Sequence, residues 1–189
     1  MPATETDERF IREAFALAGA ARSQRNHPFA ALLVRHDQVV ARFPHHKLDV
    51  YDPIKHAKSN PTAHPELNLI REFCKSENVS DLIGYTLYTN VEPCPMCAGA
   101  IYYASISRLV FSIDRPTFYR LRNEFRKPTV RSYQSCETII RDGTNCCEIV
   151  GGVLAEEGAK IFAGYEFPST QSIRSQIISE SRVKKTRRK

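Results

Sequence analysis

The chain has 189 residues, 42% of them hydrophobic and 25% charged, an ordinary mix for one globular domain that excludes a collagen, a coiled coil and a wholly disordered chain. No run of eighteen apolar residues occurs, and the opening MPATETDERF is polar and acidic, so neither a membrane span nor a secretory signal is expected. The net charge of +6 equals the six cations of the last eight residues (Arg182, Lys184, Lys185, Arg187, Arg188, Lys189), which leaves a neutral body and a basic tail. That tail reads first as a solvated terminus and otherwise as a phosphate contact or a nuclear address.

In chain order, residues 7–24 (DERFIREAFALAGAARSQ) repeat Phe10, Ala14, Leu17 and Ala21 at helical spacing, with acids in the first turn. This predicts an amphipathic helix. PFAALLVR (28–35) and QVVARF (38–43) are β-type runs, with His36-Asp37 as the turn of a hairpin. Residues 44–61 lack periodicity and predict a long loop. A helix is expected from His64-Pro65 to about Ser76, a strand at GYTLYTN (84–90), a second helix from Cys94-Pro95 to about Ser105, and a strand at RLVFSI (108–113). Residues 115–147 give a helix near Phe118 to Phe125 and then a polar insert without an evident role. Glu148 to Gly151 reads as a short strand, and Gly152 to Phe162 as a helix weakened by Gly158. Strands alternate with helices throughout, which predicts an α/β layered domain.

Six cysteines are present: Cys74, Cys94, Cys97, Cys136, Cys146 and Cys147. A chain large enough for its own core and without a signal sequence suggests a reducing compartment, where close cysteine spacing means metal or redox chemistry before disulfides. The segments Thr62-Ala63-His64-Pro65-Glu66 and Pro93-Cys94-Pro95-Met96-Cys97 share a logic set by proline. A residue before proline is pushed out of the helical region, and proline suits the first helical position. His64 and Cys94 should therefore each stand where a helix begins, with Cys97 one turn along from Cys94. A helix N-terminus favours negative charge and lowers thiol pKa values. Two thiolates and an imidazole make three zinc ligands, and zinc with three protein ligands keeps a fourth position open for water. Glu66 can stand beside the metal as a proton carrier without binding it. H-x-E followed by P-C-x-x-C is the signature of zinc deaminases.

On these residues the chain resembles the cytidine deaminase-like superfamily, in the branch of tRNA adenosine deaminases, guanine deaminases and nucleoside deaminases. NPTAHPELNLIRE is similar to that branch's D-P-T-A-H-A-E segment, EPCPMCAGAIYYASISRLVF to its E-P-C-x-M-C-x-G-A-I segment, NHPFAALLV to its early strand, and EIVGGVLAEE to its late strand and helix. The resemblance implies a three-layer α/β/α fold with a mixed sheet of about five strands, a deaminase domain over 1–165 and an extension with a basic tail over 166–189. It implies zinc on His64, Cys94 and Cys97. It implies that Glu66 takes a proton from water, passes it to a ring nitrogen and then protonates the leaving amine. It also implies a base contact from the backbone of Ala63 and Phe29 against the ring face. Pro65 stands where the branch has Ala, and Ala30 where it has Gly. The branch grips the base with an Asn about eleven residues before the His; no Asn occurs from 37 to 59, and His45 or His46 occupies the approximate position.

The expected function is zinc-dependent hydrolytic release of ammonia from a nucleobase or nucleoside, a purine by the style of GAIYYASISRLVF. The alternatives are a tRNA adenosine deaminase whose tail contacts phosphates and, from a different class, a non-catalytic zinc-bearing interaction module. A homodimer in the cytoplasm is expected, with the nucleus as the tail's alternative. Plainer readings apply to other residues. The C-x-x-C pair could be a redox dithiol, or half of a structural site completed by Cys146-Cys147. Cys74 reads as core, Cys136 as an inert or surface thiol, His27, His36 and His56 as surface histidines, and Tyr102, Tyr103 and Phe111 as packing.

Overall fold

The computed structural model describes residues 2–24, 26–44, 62–122, 134–144 and 146–167. The expected loop at 44–61, including His45, His46 and His56, lies outside the described residues apart from Pro44, and so does the basic tail.

Helix α1 spans Glu5–Ser23, starting two residues before the expected position. Its start is fixed by a capping box: Thr4 Oγ1 accepts the Asp7 N–H at 3.1 Å and Asp7 Oδ2 accepts the Thr4 N–H at 2.9 Å. Strands β1 (Ala30–Arg35) and β2 (Gln38–Pro44) form the expected hairpin. Its turn places His36 and Asp37 both at positive φ, 48° and 56°, as a two-residue turn matching the strand twist requires. Helix α2 (Pro65–Glu77) leads to β3 (Thr86–Val91), and α3 (Pro95–Tyr103) to β4 (Arg108–Ile113). Helices α4 (Arg115–Leu121) and α5 (Cys136–Arg141), strand β5 (Glu148–Val150) and helix α6 (Ala155–Lys160) complete the chain.

The five strands form one sheet in the order β2-β1-β3-β4-β5. β1 runs antiparallel to both β2 and β3, while β3, β4 and β5 are mutually parallel neighbours, so the sheet is mixed. Strand alternation divides the core in two. Leu33, Leu87 and Leu109 meet Leu69 and Ile70 of α2, Ala98 and Ile101 of α3, and Ile140 of α5. Leu32, Val34, Tyr88 and Val110 face Phe10, Ile11, Ala14 and Phe15 of α1. The result is the expected three-layer α/β/α arrangement.

Three expectations change. The 115–147 region holds a second helix, α5, where a polar insert was expected; its Cys136 is buried, which agrees with the inert one of the two readings given for that thiol. The last helix is shorter than Gly152–Phe162 because Gly152 and Leu154 take positive φ, 80° and 54°, and delay the first turn to Ala155. Tyr103, expected to pack, is 83% exposed.

Candidate metal centre and proton-transfer site

His64 and Cys94 are the N-cap residues of α2 and α3. Both have extended backbone and are followed by a proline at the helix start. Asn68, one turn on, donates through Nδ2 to the His64 carbonyl at 2.9 Å. Because α2 and α3 pack on the same face of the sheet, their starts converge. His64 Nδ1 lies 3.5 Å from Cys94 Sγ, and Cys94 Sγ lies 3.6 Å from Cys97 Sγ. The donor atoms of these three residues all lie within 4.8 Å of one another, and no other His, Cys, Asp or Glu joins the group among the described residues. Cys146 is exposed and Cys147 is packed in the core on the β5 side, so neither supplies a fourth donor.

Glu66 is buried beside the trio. Its Oε2 is 3.5 Å from Cys97 Sγ and its Oε1 accepts the Thr89 hydroxyl at 3.0 Å. Burial raises its pKa, followed by the nearby Cys94, against the opposing effect of His64. The thiols affect each other strongly. The bond from Cys97, with help from His64, lowers the Cys94 pKa, while the same contact, burial and Glu66 raise that of Cys97. Burial lowers the His64 pKa, but its contacts with Cys94 outweigh this and the net shift is upward. Two sulfurs and a carboxylate crowded into a buried site need a cation if both sulfurs are to ionise. Imidazole with two thiolates is a donor set suited to zinc, so the residues present fit that ion.

The polar end of β3 organises the surroundings, and sequence reading missed it. Asn90 accepts the Ala30 N–H through Oδ1 at 3.0 Å and donates to the Pro28 carbonyl at 2.9 Å, which fixes Phe29 between them. Glu92 accepts the N–H of Arg115 and of Cys136, each at 2.9 Å, and so ties the start of α4 and of α5 to the residue two before Cys94. The available signal was three polar residues, Thr89, Asn90 and Glu92, in a stretch otherwise patterned as buried strand. Phe29 stands in an aromatic group, with ring centroids 5.4 Å from Phe118 and 5.9 Å from Phe162. Ala63 is buried next to His64. His27, expected at the surface, is partly buried instead. Its Nδ1 shares a 2.8 Å hydrogen bond with the Tyr165 hydroxyl and its ring stacks on Phe167. Burial, followed by Arg122 and His64, pushes its pKa down to about 4.

Known proteins share this arrangement of sequence and fold. The family model for the cytidine and deoxycytidylate deaminase zinc-binding region matches residues 4–113. The chain is 34% identical over 110 residues to the tRNA-specific adenosine deaminase of Bacillus subtilis, covering 58% of this chain and 63% of that protein. It is 35% identical over 108 residues to the guanine deaminase of the same organism, covering 57% of this chain and 64% of that one. Each match thus spans just under two thirds of the relative. The structure of a guanine deaminase from Nitrosomonas europaea superposes with a TM-score of 0.65 at 17% identity, covering 87% of this chain and 85% of that one.

Proposed function

Since this chain belongs to the cytidine and deoxycytidylate deaminase zinc-binding family, we propose that it is a zinc-dependent hydrolytic deaminase that releases ammonia from a purine base or nucleoside. The observation that carries this reading is the mutual approach of the His64, Cys94 and Cys97 donor atoms with the Glu66 carboxyl alongside. His64 through Nδ1 and the two cysteines through Sγ would hold the ion. When bound in a site with three protein ligands, zinc activates a water for attack at neutral pH.

The remaining steps belong to the protein. Glu66 Oε1 is engaged by Thr89, so Oε2, on the Cys97 side, is the oxygen that handles protons. Glu66 takes one proton from the attacking water and delivers it to a ring nitrogen; it then takes the remaining proton of the hydroxyl added to the ring carbon and gives it to the amine, which departs as ammonia while the carbonyl forms. A carboxyl that works as both base and acid serves best when its pKa approaches the working pH, and the burial of Glu66 acts in that direction. Phe29, whose flanking backbone is held by Asn90, is the proposed apolar contact to the ring face, and the Ala63 backbone is the proposed contact to the base.

A second reading is a tRNA adenosine deaminase, favoured by the identity to the Bacillus subtilis enzyme and by the basic tail. Ammonia release measured across purine bases, nucleosides and tRNA tests both, with Glu66→Gln as the control. Turnover of a free purine that falls at least about 10²-fold in the variant is the expected outcome. Turnover of tRNA alone would select the second reading. No turnover of any substrate by zinc-loaded protein, or full activity of Glu66→Gln, would overturn the catalytic assignment.

A further inference from the structure

Thr89 lies in β3 with the buried Leu87 and Val91 on the same side of the strand, facing the layer that contains α2. A hydroxyl buried there must find partners. Three acceptors are within reach: Glu66 Oε1 at 3.0 Å, the Ala30 carbonyl at 3.1 Å and the Val91 carbonyl at 3.4 Å. The hydroxyl has one proton to give, and the shortest of the three contacts gives it to the carboxyl presented by α2, tying Glu66 to β3 in the middle of the sheet. The other contact of the carboxyl, from Cys97 Sγ at 3.5 Å, comes from a residue whose proposed duty is to bind the metal. The carboxyl also meets its own backbone N–H, which moves with α2, so the hydroxyl is the side-chain partner that ties Glu66 to a different element without belonging to the metal trio.

We propose that Thr89 is the positioning residue of Glu66: by anchoring Oε1 to the sheet it fixes where Oε2 points. The inference rests on the reaction proposed above and adds to it a residue that touches neither metal nor base. A carboxyl on two rotatable side-chain carbons, released from that anchor, swings away from its working geometry. Misplacement of about 1 Å at a reacting group is enough to cost about 10²-fold in rate.

The test compares Thr89→Val, which keeps the branched shape and removes the hydroxyl, with Thr89→Ser, which keeps the hydroxyl. In zinc-loaded protein, Thr89→Val is expected to lower kcat by about 10²-fold with KM little changed and zinc content equal to that of the parent. Thr89→Ser is expected to restore kcat to near the parent value. Crystal structures should show the Glu66 carboxyl displaced in the Val variant and in place in the Ser variant. Parent-like kcat in Thr89→Val, an equal loss in Thr89→Ser, or a loss explained by missing zinc would overturn the proposal. If the parent turns over no substrate, the reaction assignment fails by itself. The position of Glu66 in the two crystal structures then still decides the role of Thr89, and an unmoved carboxyl in the Val variant sinks it.

Discussion

Asp7 and Arg108 are 101 residues apart in sequence and meet where α1 crosses the sheet, with Arg108 Nη2 donating to Asp7 Oδ2 at 2.9 Å. Asp7 also accepts the Tyr88 hydroxyl and the Thr4 N–H, each at 2.9 Å. Burial works to raise its pKa, but the guanidinium and these hydrogen bonds win and hold the carboxyl well below the usual carboxylate range. The folded protein therefore binds fewer protons here than the unfolded chain does. The stabilisation is complete above the ordinary Asp value of about 4 and fades as pH drops below it. Asp7→Asn should cost about 3 kcal/mol in urea unfolding at neutral pH, the low end for breaking a buried pair, because Arg108 keeps Glu148 at 3.0 Å. The variant should also lose part of the acid sensitivity of the parent; an unchanged stability profile from pH 7 to pH 3 would refute this role for Asp7.

At the scale of elements, Glu92 governs how α4 and α5 begin, since its two oxygens take the first N–H of each helix. Glu92→Ala would leave two buried donors without an acceptor, at about 1–3 kcal/mol each. A urea midpoint unchanged from the parent would show that water satisfies them instead. The same elements show what sequence can convey. Strands β1 to β4 were readable because each alternates or runs apolar between clear turns, and the two helix starts because proline leaves one geometry open to His64 and Cys94. Helix α5 was not readable: it is six residues long, too short for a periodic stripe, and its place depends on Glu92 from another element. Gly158 argued against a helix by propensity. In the fold it lets α6 approach β4, since a Cβ there would stand 2.5 Å from Ser112 Oγ. Of the site, the metal-type donors and Glu66 were legible from spacing. Thr89 and Asn90 were not, because their partners come from β1 and α2 and are brought near only by tertiary packing.

For the whole molecule, the proposed metal would join two helix starts that otherwise meet through packing and two contacts to cysteine sulfur at 3.5 Å, so metal and fold should depend on each other. Removing zinc with a chelator should abolish ammonia release and lower the thermal midpoint, and added zinc should reverse both. A midpoint indifferent to chelation would mean that the three donors bind no ion in solution. Substrate class also has a molecular-scale signature. A free base carries no phosphates, so its turnover should be insensitive to salt and to removal of residues 182–189. A tRNA substrate should lose affinity steeply with salt and with that truncation. No helix among the described residues is long and apolar enough to cross a membrane.

Ala30 meets Asn90 through its N–H and Thr89 through its carbonyl, so both ties use main chain alone. Such ties are blind to side-chain identity. Another small residue at that position would leave both contacts, and with them the placement of Asn90 and Thr89, intact.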